Sequence, residues 1–183
     1  IGGIVNFSYI LTGKDFLKVH LTNEKSPVSG NFGGLYFTSG YLTNYNLNCA
    51  PNNAVIVNAK VHFFDALSGV YANTYIRATG TKILNYADVL LHDPSNDGRG
   101  GGIGKISGIN NIQFTFNSQV DPLYLAGDQL PADVRFGRKE LLAVITADVY
   151  SGDLPITGKP AGIQVNFTHP ELAGTVESFT VSG

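Results

Sequence analysis

Residues 54–64, AVIVNAKVHFF, constrain the fold more than any other stretch of the chain. Val55, Val57, Ala59, Val61 and Phe63 are all apolar, and Asn58, Lys60 and His62 interrupt the other register. A repeat of two puts alternate side chains on opposite faces of an extended chain. The stretch therefore reads as a β-strand with one face in a core and the other partly wet. It is rich in β-branched residues, and Pro51-Asn52-Asn53 punctuates its start. The rest of the chain is expected to pack around it.

The same alternation opens the chain. Ile1, Gly3, Val5, Phe7, Tyr9 and Leu11 share one face of a strand expected to begin at the first residue. A turn at residues 12–15 then leads into an expected strand over 16–22, FLKVHLT. Residues 23–34 read as a loop, 35–38 as a short strand, and 41–48 as an exposed strand or loop. After a turn at 65–69, residues 70–79 are expected to return as a strand and complete a hairpin with the central one. Residues 82–92 read as a strand and 112–116 as another. Residues 117–137 read as a long connection holding a small helical turn. Strands are expected over 140–150, 162–168 and 175–181. About ten strands, turn signals roughly every 8–12 residues and no clear amphipathic helix predict an all-β fold. The expected architecture is a single β-sandwich or jelly roll, Ig-like or pilin-like, with residues 1–183 forming one domain.

Composition excludes several functions. The formal net charge is −2, and the 12 Lys and Arg residues form no cluster. Nucleic acid is therefore not an expected partner, because it needs a basic patch to neutralise phosphates. No apolar run reaches the ~18 residues of a membrane span. Methionine is absent, at the first position too, so a secretory signal peptide is expected to have been removed. The expected location is extracellular, at the cell surface. Cys49 is the only cysteine, so no internal disulfide can form, and it reads as a buried apolar residue or an intermolecular link.

Motifs that carry chemistry are sparse. Asp93, Ser95, Asp97 and Gly98 match positions 1, 3, 5 and 6 of a calcium loop, where oxygen ligands alternate and a glycine permits the sharp turn. Gly104 stands where the closing glutamate belongs, so the competing reading is an Asx-rich turn. No cofactor is expected beyond this candidate calcium. The run GRGGGIGK over 98–105 misses the spacing of a phosphate loop and reads as a flexible loop. His20, His62, His92 and His169 stand singly. There is no nucleophile elbow, and nothing singles out a carboxylate pair, so an enzyme is not expected. Tyr36, Tyr41 and Tyr45 are candidates for a ligand surface, against a plain aromatic sheet surface. Asn6-Phe7-Ser8 and Asn166-Phe167-Thr168 are N-glycosylation sequons.

The alternation Ile1, Gly3, Val5, Phe7, Tyr9, Leu11 resembles the N-terminal donor strands of fimbrial pilins and other donor-strand-exchange fibre subunits, as do the chain length, the low charge and the absence of Trp. Chaperone–usher pilins carry a Cys pair where this chain has Cys49 alone. The resemblance therefore extends to other surface filaments built the same way, archaeal pili and threads among them. It implies a secreted subunit that polymerises with copies of itself, residues 1–11 entering a groove of the next subunit by β-augmentation. The alternatives are that this strand pairs within its own chain, and that the protein is a monomeric adhesin or carbohydrate-binding module acting on a host or neighbouring-cell surface.

Overall fold

The computed structural model describes residues 2–23, 25–72, 83–92, 109–147, 163–168 and 175–181. The fold is mostly β. Ten strands are present among the described residues: β1 (Gly3–Ile10), β2 (Val28–Phe32), β3 (Leu35–Cys49), β4 (Ile56–Phe63), β5 (Ser68–Gly69), β6 (Val89–His92), β7 (Ile109–Leu123), β8 (Asp133–Ala147), β9 (Ile163–Thr168) and β10 (Thr175–Val181). One short helix, α1 (Lys18–Thr22), and a 3-10 turn at Tyr86–Asp88 complete the set.

Seven strands form one open antiparallel sheet in the order β1-β4-β3-β7-β8, with β2 and β5 pairing the first part of β3. The remaining three form a separate sheet, β10-β9-β6. β4 lies beside the sheet's middle strand, β3, and alternates between buried and outward-facing residues as its sequence predicts. Pro51-Asn52-Asn53 is a tight turn in which the Asn53 N–H donates to Ala50 O (3.2 Å) and Asn52 adopts φ +62°. Asparagine tolerates this left-handed conformation better than most residues.

Several sequence expectations are corrected. Residues 16–22 are not a strand. The Asp15 carboxylate accepts the Leu17 N–H (2.9 Å) and starts a turn that runs into α1. Leu17 and Leu21, one helical turn apart, then share the inward side. The loop expected at 23–34 contains β2, which makes a two-residue hairpin with β3 through Gly33 and Gly34. Both glycines have positive φ (+58° and +84°), as a type I′ turn requires. Residues 54–79 do not form a hairpin, because β1 and β4 pair on one side and β3 and β4 on the other, leaving β4 no free edge. Residues 70–72 are not strand, and 73–79 lie outside the described residues. Residues 84–88 are not strand either; Asn85 and Asp88 cap the 3-10 turn that leads into β6. The connection expected at 117–137 is mostly the β7–β8 hairpin, paired from Ile109↔Ala147 to Leu123↔Asp133.

The core lies on one face of the large sheet. Leu42, Tyr45, Leu47 and Cys49 of β3 meet Val57, Ala59, Val61 and Phe63 of β4 and Ile112, Phe114 and Phe116 of β7. Leu11, Leu17, Val28, Leu84 and Val89 pack onto them. Three backbone hydrogen bonds join this covering chain to the sheet: Leu11 N to Val55 O (2.9 Å), Val55 N to Leu84 O (2.9 Å) and Leu84 N to Leu11 O (3.0 Å). Each buried donor is satisfied by a neighbour whose own side chain is buried.

Candidate functional site

Two features bear on function: the edge strand β1 and the outward face of the large sheet. β1 pairs with β4 along its whole length, from Gly3↔Phe63 to Ile10↔Ile56. Its other side has no strand neighbour among the described residues. Gly3, Val5, Phe7 and Tyr9 are half-buried on the core side, and Leu11 is fully buried; Ile1 lies outside the described residues. The internal-pairing alternative is thus what this single chain displays.

A buried carboxylate anchors the end of the strand. Tyr9 Oη donates to Asp15 Oδ1 (2.6 Å) and Tyr45 Oη donates to Asp15 Oδ2 (2.6 Å). Asp15 is 6% exposed and Tyr45 1%. Burial, and then the hydrogen bond to Asp15, push the Tyr9 phenol well above its usual range. Phe16 tilts against Tyr9, with ring centroids 4.9 Å apart.

The outward face is five strands wide and ordered in rows, polar across its middle and apolar at one end, where Ile10 and Ile56 are exposed partners. One row is Asn6, Lys60, Asn44, Asn117, Glu140; the next is Ser8, Asn58, Asn46, Thr115, Leu142. Side chains link across strands: Ser8 Oγ donates to Asn58 Oδ1 (2.6 Å), Asn44 Nδ2 to Asn117 Oδ1 (2.7 Å) and Asn46 Nδ2 to Thr115 Oγ1 (3.0 Å). Such cross-strand pairs stabilise a sheet whose face is open to water.

Two β-bulges interrupt this face, one at Thr43 in β3 and one at Gly137–Arg138 in β8, opposite Gln119 of β7. Between them lies a cleft of about 570 Å³ lined by Thr43, Asn44, Lys60, Asn117, Gln119, Arg138 and Glu140, with Ser118 behind. Thr43 Oγ1 donates to Lys60 O (3.1 Å), and Gln119 Nε2 to Asp121 Oδ2 (2.9 Å). Gly137 stands where a Cβ would fall 3.1 Å from Gln119, so the bulge and the glycine fit together. Among the described residues neither Lys60 nor Arg138 is ion-paired. One row further along, Tyr41 packs edge-on against Phe136 (centroids 5.4 Å apart) and tilts against Phe64 (6.0 Å), which also meets His62 (4.4 Å). Burial, and then the charge of Lys60, lower the His62 pKa. Beyond Tyr41, Asp65 Oδ2 accepts from Thr38 N (2.7 Å) and Thr38 Oγ1 (2.8 Å). Burial raises the pKa of that carboxyl, but the Thr38 hydrogen bonds outweigh it and leave it below the usual range.

The other sequence candidates disperse. Tyr36, Tyr41 and Tyr45 share no surface: Tyr36 is exposed, Tyr41 belongs to the outward aromatic cluster and Tyr45 is in the core. Asn6 is exposed on β1; Asn166 lies on β9, where its backbone pairs with Ser178 and Leu90. Asp93, Ser95 and Asp97, and the glycine-rich run at 98–105, lie outside the described residues. Among the described residues no three His, Cys, Asp or Glu side chains converge as metal ligands, and no helix is long and apolar enough to cross a membrane. Sequence reasoning missed the cleft, because bulges bring its residues together from four strands. The one available signal was the recurrence of Asn44, Asn46 and Asn48 on alternate positions.

The arrangement defines a mostly β protein with β1 at one sheet edge among the described residues and a bulge-lined polar cleft. The chain matches no protein-family model and no curated protein.

Proposed function

We propose that the protein is the structural subunit of an extracellular filament, assembled head to tail by exchange of the N-terminal strand between copies. The observation that carries this reading is the position of β1: a sheet edge with one strand neighbour among the described residues, its core-side residues Val5, Phe7 and Tyr9 half-buried. Strand exchange replaces the β1–β4 contacts of one chain with the same contacts between chains, so it needs no new interface. Residues 12–14 are the natural hinge, since nothing lies within 4 Å of a Cβ added at Gly13. Passed head to tail from copy to copy with a rotation that does not close, such a contact gives a fibre. The chain is read as one β-sandwich domain, with β6-β9-β10 as the second layer, because Leu84 and Val89, which lead into β6, pack on the core face of the large sheet. Secretion and a cell-surface location follow from this role.

The test is a disulfide lock. Ser8 and Asn58 are register partners across β1 and β4. In the Ser8→Cys/Asn58→Cys variant, oxidation ties β1 to its own sheet. Electron microscopy should show uniform filaments for the wild type, none for the oxidised variant, and filaments again after reduction. Filaments from the oxidised variant, or a dispersed monomer from the wild type, would refute strand exchange and leave a monomeric adhesin as the reading.

A further inference from the structure

We infer that the cleft between the two bulges binds a saccharide bearing a carboxylate, a uronic-acid oligosaccharide being the simplest case. This goes beyond filament assembly and does not depend on it. The chemistry of the lining is specific. Asn44, Asn117 and Gln119 offer amide donors and acceptors, and Thr43 a hydroxyl, which together match the vicinal hydroxyls of a sugar ring. Glu140 accepts from a hydroxyl. Lys60 and Arg138, not ion-paired among the described residues, supply two positive charges where Glu140 is the one carboxylate lining the cleft, the Asp121 carboxylate lying beyond Gln119 and already accepting its amide. That surplus is matched by one ligand carboxylate held in a charge-assisted contact.

Geometry points the same way. The two bulges re-aim side chains and open a concavity in a face that would otherwise be flat, and bulges of this kind recur beside functional sites. The Asn44–Asn117 hydrogen bond holds two of the amides in place before a ligand arrives, which reduces the ordering cost of binding. Tyr41, held edge-on by Phe136, stands one row away on the outward face, where an apolar sugar face beyond the first ring meets an aromatic surface. An uncharged polymer would leave Lys60 and Arg138 unmatched. Nucleic acid needs a far larger basic patch than two residues provide.

The experiment is calorimetric titration with a tetragalacturonate, beside the neutral galactose tetramer of the same linkage and a tetraglutamate peptide. The acidic sugar should bind saturably. The neutral sugar and the peptide should each bind about tenfold more weakly or not at all, and Lys60→Gln and Arg138→Gln should each weaken the acidic sugar about tenfold. A footprint on the wild-type protein by amide NMR should fall on the side-chain amides of Asn44, Asn117 and Gln119. The inference is overturned by no saturable binding, by equal binding of the peptide, by indifference to both substitutions, or by a footprint elsewhere.

Discussion

Asp15 joins three pieces of chain through one carboxylate: the end of β1 through Tyr9, the middle of β3 through Tyr45, and the start of α1 through the Leu17 N–H. Removing a single donor leaves the carboxylate its other partners, whereas removing the carboxylate orphans two phenols. Tyr45→Phe is therefore expected to cost about 2 kcal/mol and Asp15→Ala more, each read as a lower urea midpoint. The same residues set the behaviour in alkali. Burial, and then the Asp88 carboxylate, push the Cys49 thiol up to about 12; Tyr9 is raised, and burial followed by the charge of Cys49 raises Tyr86. In each case the unfolded chain loses its proton first. Stability is then fully present below the unfolded values of about 8.5 for Cys and 10 for Tyr, and falls as the pH rises beyond them. The slope is at most about 1.4 kcal/mol per pH unit for the buried Cys49 thiol, and smaller for Tyr9 and Tyr86, which water partly screens. Urea midpoints taken from pH 8 to 11 should fall steadily, and Tyr9→Phe should flatten the fall above pH 10.

At the scale of the elements, Gly40 shows how tightly β2, β3 and β4 meet. A Cβ there would lie 2.6 Å from both Phe37 Cε2 and Val61 Cγ1 and 2.8 Å from Val28 O. Gly40→Ala is expected to cost about 1–3 kcal/mol by overpacking, measured by the same unfolding assay. The strands legible in the sequence were β1, β4 and part of β7, where apolar residues alternate on a buried face, the β-branched run in β8, the start of β3, and β9 and β10. Residues 16–22 misled because FLKVHLT fits a period of two as well as the four-residue spacing of Leu17 and Leu21, and only the Asp15 turn decides between them. Residues 117–123 read as a loop because Asn117, Ser118, Gln119, Asp121 and Pro122 outnumber Val120 and Leu123. Asn117, Gln119 and Asp121 face water and Val120 is buried, but the other buried position, Ser118, is polar and hides the alternation. The partner of β4 was misassigned because local sequence suggests a hairpin, whereas pairing with β1 joins residues about fifty positions apart. The cleft was not legible for the same reason: its members are neighbours only after four strands are in register.

Across the whole molecule, the large sheet is open and antiparallel, with β1 at one edge and β8 at the other among the described residues. An unpaired edge invites a further strand unless something guards it. The polar middle of the outward face, with its rows of asparagine and threonine, keeps the sheet's broad side wet while its edge remains available. The position of Cys49 follows from the same layout. The only thiol of the chain is 0% exposed, at the end of the middle strand, with β4 between it and β1. Asp88 and Tyr86 lie near enough to that sulfur to feel its charge, so a maleimide reaches it when the covering chain at residues 84–89 lifts from the core face. Its labelling rate is thus a clock for that cover.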